Sequence, residues 1–140
     1  MKKIINTLIM VFIFFSSCVS FDSIEESVYL HSVRIFMNVP CKMKKQVVNY
    51  EEGVLYFYSL PTGEVIEIQQ GALMKSQIDE LVPFLKKHKK KCYIEKGIDG
   101  NGKLWRMDVY AKFKIYYFGI SPSEVQIYDR ILNKIKIKDV

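Results

Sequence analysis

The chain has 140 residues, a net charge of +6, 49% hydrophobic residues, nine Tyr and nine Phe. That length suits one domain with a modest core, and that hydrophobicity excludes a disordered polymer. Residues 18–70 hold 4 basic and 7 acidic groups, whereas residues 71–140 hold 15 and 8. The asymmetry leads us to expect one positive face for phosphate, acidic polysaccharide or an acidic protein, set against the plainer reading of a solvated surface.

Lys2 and Lys3 precede an apolar run from Ile4 to Phe15, and Ser16-Ser17-Cys18 follows at once. A basic start, a short apolar stretch and small residues read as a secretory signal peptide over residues 1–17. A membrane span needs roughly 20 apolar residues. This run is shorter, contains Asn6 and Thr7, and is soon followed by Asp22, Glu25 and Glu26.

With Cys18 directly after the small residues, the segment resembles a bacterial lipoprotein signal, with Phe15 where that family usually carries an aliphatic residue. The resemblance implies cleavage before Cys18, acylation of Cys18 (palmitate among the chains) and attachment to a membrane of the bacterial cell envelope. Two or more acyl chains anchor stably where one binds only marginally. Plain secretion, with Cys18 incidental, is the alternative. Residues 18–27 then read as the lipidated Cys and a tether, with a capped turn at Ser23-x-x-Glu26 as one option. Residues 28–140 read as a single domain.

Val33, Ile35, Met37 and Val39 alternate with Arg34, Phe36 and Asn38, which predicts a half-buried strand stopped by Pro40. Residues 46–50 and 54–60 flank Glu51-Glu52-Gly53 and predict a hairpin. Leu60-Pro61-Thr62-Gly63 predicts a turn into a further strand over 64–69. Ile78, Leu81, Val82 and Leu85 then share a helical face, giving a helix at about 76–90, kinked or restarted at Pro83 and ending in lysines.

Residues 92–98 and 103–117 predict a second hairpin turned by Asp99-Gly100-Asn101-Gly102. Its long strand carries Trp105, Met107, Val109, Ala111, Phe113 and Ile115 on one face, and Arg106, Asp108, Tyr110, Lys112 and Lys114 on the other. Ser121-Pro122-Ser123-Glu124 reads as a capping box for a final helix at about 122–136, with Val125, Tyr128, Ile131, Leu132 and Ile135 as its buried stripe. The expected class is α+β, a mostly antiparallel sheet of about five to six strands with two helices.

Chemistry-bearing residues are few. Cys41 and Cys92 form a candidate disulfide outside the cytoplasm, or else two buried thiols. The loop at Asp99 starts like a calcium site but has Lys103 and Tyr110 where ligands belong, so a hairpin turn explains it better. Zinc spacing is absent, with only His31 and His88 available. Lys86, Lys87, Lys89, Lys90 and Lys91 are candidate contacts to anions or lipid headgroups, against the plainer reading of a solvated helix end. The many tyrosines suit cross-strand packing, or stacking on a sugar or protein partner where they are exposed together.

No nucleophile elbow, phosphate loop or metalloprotease motif occurs, so neither catalysis nor a cofactor is expected. The expectation is a lipid-anchored, non-enzymatic envelope protein that binds a protein partner in an accessory, inhibitor or immunity-type role. Nucleic acid is not expected for an exported chain. A small-ligand or glycan-binding module is the alternative, and a cleft with tyrosines and converging polar groups would favour it.

Overall fold

The computed structural model describes residues 22–71 and 92–140. In chain order its elements are β1 (Ser23–Tyr29), β2 (Val33–Pro40), β3 (Lys44–Tyr50), β4 (Gly53–Ser59), β5 (Val65–Gln70), β6 (Tyr93–Ile98), β7 (Leu104–Val109), β8 (Lys114–Ile120), α1 (Val125–Asn133) and β9 (Lys136–Asp139). Three strands form one sheet in the order β1-β2-β9, and six form a second in the order β3-β4-β5-β8-β7-β6. All the pairings are antiparallel.

The period-two pattern of β2 decides how the sheets meet. Val33, Ile35, Met37 and Val39 are buried, while Arg34, Phe36 and Asn38 stand on the opposite face. The buried row packs in one core with Tyr58, Ile66, Ile68, Ile115 and Tyr117 of the larger sheet and with Tyr128, Ile131 and Leu132 of α1. Each such side chain stabilises the fold by about 1.5–3 kcal/mol relative to exposure. The other face of the larger sheet carries a second cluster, formed by Val65, Trp105, Met107, Tyr116 and Phe118.

The described residues are mostly β, with nine strands in two antiparallel sheets and one helix, which overturns the two-helix α+β expectation. Three local features account for the difference. Ser23–Ser27, expected in the tether, belong to β1, which pairs with β2 along its whole length. The final helix stops at Asn133, where Lys134 caps it through its backbone N–H, and Lys136–Asp139 continue as β9.

The long strand expected over 103–117 is two strands. Tyr110 donates its backbone N–H to the Phe113 carbonyl at 2.9 Å, and the two rings stack at 4.6 Å. That turn splits the single apolar face between cores, with Trp105 and Met107 in one and Phe113 and Ile115 in the other. The capping box is also not formed. Glu124 is the N-cap without a side-chain bond, although its backbone N–H reaches the Ser121 carbonyl at 2.9 Å. The predicted helix at 76–90 lies outside the described residues.

Candidate functional site

The outer face of the three-stranded sheet combines cations and aromatic rings. Antiparallel register sets Tyr29 and Lys138 on either side of Arg34, and Lys136 beside Phe36. Directly opposed residues share a face, so all five side chains meet there. The Arg34 guanidinium lies 4.4 Å from the Tyr29 ring centroid and 4.7 Å from that of Phe36. Lys138 Nζ lies 5.2 Å from the Phe36 centroid. Each exposed cation–π contact contributes about 0.5–1 kcal/mol, and together they hold the guanidinium close to both rings.

Among the described residues Arg34 Nε is buried with no hydrogen-bond partner, so no bond from it accounts for this arrangement. Among the described residues, neither Arg34 nor Lys134, Lys136 or Lys138 forms an ion pair, whereas Lys45, Lys96 and Lys112 pair with Glu26, Asp129 and Asp139. Lys134 and Lys136 border a hollow of about 80 Å³ together with Phe36, Asn38 and Glu25. Glu25 is the acid on this face.

A second feature is a cleft of about 660 Å³ beside the β1–β2 and β3–β4 turns, lined by Tyr29, His31, Tyr50, Glu51, Glu52 and Gln70, among others. Gln70 organises it. Tyr50 donates its hydroxyl to the Gln70 carbonyl at 2.6 Å, and the His31 backbone N–H donates to Gln70 Oε1 at 2.9 Å. Tyr56 adds a bond from its hydroxyl to the Tyr29 carbonyl at 3.0 Å.

The third cluster is internal. Arg106 donates from Nη1 to Asp129 Oδ1 at 3.0 Å, Tyr117 donates to the same oxygen at 2.9 Å, and Lys96 reaches Asp129 Oδ2 at 3.1 Å. Partial burial opposes the Asp129 charge, but these donors outweigh it and hold the carboxyl below its ordinary value. Burial first, and then the bond to Asp129, push the Tyr117 phenol well above its ordinary value. An anionic carboxylate beside a neutral phenol and two cations is a fastening of α1 to the sheet. It does not provide an acid and a base poised near neutrality.

Cys18 and the lysines Lys86, Lys87, Lys89, Lys90 and Lys91 lie outside the described residues. Cys41 and Cys92 are exposed free thiols, in place of the bridge or the buried pair expected. Cys41 follows β2 of the smaller sheet, and Cys92 precedes β6 at an edge of the larger one. The Asp99 carboxylate serves its own turn, accepting the Asn101 and Lys103 amides at 2.8 and 2.9 Å. Tyr58 and Trp105 are buried in the two cores, as cross-strand packing requires.

Sequence reasoning missed the cation–aromatic face because two of its three strands were not foreseen. The signal available for β9 was the alternation Ile135-Lys136-Ile137-Lys138. No family model matches this chain, and no curated protein or solved structure is similar to it.

Proposed function

We propose that the chain is a lipid-anchored bacterial envelope protein, acylated at Cys18, that acts by binding a protein partner and not by catalysis. The observation that carries the binding reading is β3. It is an outer strand of the six-stranded sheet, and Lys44–Asn49 are all exposed, with Val47 and Val48 at 45% and 46%. An edge strand offers unpaired backbone donors and acceptors to an extended segment of a partner, and exposed alternate side chains give that pairing its specificity. The residues Lys2, Lys3, Ile4–Phe15 and Cys18 support the anchor.

The test is capture from membrane extracts at high salt with the intact chain and with Val47→Lys/Val48→Lys. A partner retained by the intact chain and lost by the variant is expected. The same partner recovered equally by both would remove β3 from the reading. Labelling with a palmitate analogue, intact chain against Cys18→Ala, tests the anchor separately.

The cleft at Gln70 favours a second reading, a small polar ligand or glycan. Its volume falls in the range of ligand sites, and tyrosines and polar groups converge on it. Saturable binding of an oligosaccharide that is lost on Tyr50→Ala would favour this reading over the first.

A further inference from the structure

We propose that the outer face of the three-stranded sheet, carried by Arg34, Lys134, Lys136 and Lys138 around Phe36, rests on anionic phospholipid headgroups. Three observations lead there. The four cations have no carboxylate partners among the described residues, so their charge is available to an external anion. Exposed Tyr29 gives the face an amphipathic ring of the kind that settles at the level of headgroups, and Phe36 adds an apolar ring beside it. The third observation is the place where β1 begins.

Ser23 opens β1 five positions after Cys18. Whatever conformation the intervening residues take, they span at most roughly 17 Å, about two Debye lengths at physiological salt. The sheet that carries the cations is therefore the sheet held nearest an acyl group on Cys18. Ser23 pairs with Pro40, and Asn38, Phe36 and Lys136 follow along the face from that end. This placement rests on the reading of Cys18 as the acylated residue, whereas the face's affinity for an anionic surface does not.

A second contact of this kind complements acyl chains electrostatically. Each Lys or Arg near an anionic bilayer strengthens binding roughly fivefold. Neutralising three of the four should weaken it about a hundredfold. A bare cluster of lysines would give the charge alone. Here Arg34 is also held near two rings, which limits the reordering needed to present its guanidinium.

The experiment uses the full chain with Cys18→Ala, so that no acyl chain contributes, and sedimentation with vesicles of phosphatidylcholine alone or with about a third phosphatidylglycerol. The difference between the two vesicle types is the readout, which cancels partitioning of residues 4–15. Binding should favour the phosphatidylglycerol vesicles and fall at high salt. Adding Arg34→Gln/Lys136→Gln/Lys138→Gln should remove about a hundredfold. Lys136→Gln/Lys138→Gln alone, which leaves Arg34 beside its two rings, should remove about twentyfold.

The comparison set is Lys42→Gln/Lys44→Gln/Lys114→Gln, which lowers net charge equally at other positions and should cost far less. Equal losses in both triple variants would mean bulk charge and overturn the proposal. So would no preference for phosphatidylglycerol, or tighter binding to soluble polyglutamate than to the vesicles, which would point to an acidic protein instead. Palmitate labelling of the unmutated chain reports on Cys18 by itself, so the two readings fail separately.

Discussion

Arg106 grips Asp108 with two parallel bonds, Nε to Oδ1 at 2.6 Å and Nη2 to Oδ2 at 2.7 Å, both side chains being almost wholly buried. Residues two apart on a strand share a face, so β7 places this pair beneath α1, where Asp129 takes a third guanidinium bond. Removing one member of a buried pair strands the other in a low-dielectric site. Asp108→Ala should therefore cost about 3–5 kcal/mol in urea unfolding. Lys112→Ala, which breaks an exposed pair with Asp139, should cost under about 1 kcal/mol. Similar costs for the two would remove the burial argument.

Asp129 makes that junction sensitive to acid. Its folded pKa lies below 3.8, because the bonds from Arg106, Lys96 and Tyr117 outweigh the opposing effect of partial burial. A depressed carboxyl contributes stability that is present above its unfolded pKa and is lost as pH falls through the folded value. Unfolding midpoints should drop below pH 4, and Asp129→Asn should flatten that part of the curve while lowering stability at neutral pH. Measuring urea midpoints of both proteins from pH 2 to pH 7 checks this.

The alkaline limb has the opposite sign. Burial is the largest cause in raising the phenols of Tyr58, Tyr117 and Tyr128 well above 10.0, their ordinary value. An unfolded chain releases those protons near pH 10 while the folded chain keeps them, so stability declines as pH rises above that point. Tyr128→Phe should reduce the slope of stability against pH above 10 by about one proton. Spectrophotometric titration beside unfolding curves measures both quantities.

What the sequence made legible was chiefly whatever carried a clean period. β2 and the Tyr128/Ile131/Leu132 stripe of α1 rest on alternation and helical spacing that burial then enforces. The β3–β4 hairpin was legible instead from two β-rich runs around Glu51-Glu52-Gly53, its β3 strand being exposed. β1 was hidden because Ser23–Glu26 satisfies a helix-capping pattern and most of its residues are exposed, leaving almost no apolar alternation. β9 was hidden because Ile135 fits the stripe of α1 as well as it fits the alternation with Ile137. The break at Tyr110–Phe113 has no Gly or Pro, so the alternation runs through it unbroken.

The candidate face was illegible for the same reason. Arg34 meets Tyr29 and Lys138 only through the register of the two strands that the pattern concealed, and no spacing along the chain encodes that meeting. The break in β7–β8 likewise buries Arg106 and Asp108, which the alternation alone assigns to a polar face.

Gly53 shows how closely the cleft depends on backbone contact. It pairs with Tyr50 across the two-residue turn Glu51-Glu52, and a Cβ at this position would collide with the Gln70 carbonyl oxygen, the acceptor of the Tyr50 hydroxyl. Backbone cannot swing aside as the end of a flexible side chain can, so Gly53→Ala must push β4 away from β5 at its last pair, Val54 with Gln70. We expect a loss of about 1–3 kcal/mol, typical of overpacking. Chemical shifts of Tyr50 and His31 should change with it, because both bond to Gln70. Gly100→Ala is the internal control. It has open space around it and no left-handed backbone, so it should stay within about 0.5 kcal/mol of the parent protein. Thermal unfolding of the two variants side by side separates them, and equal stability would mean that the Gly53–Gln70 approach does not constrain the fold.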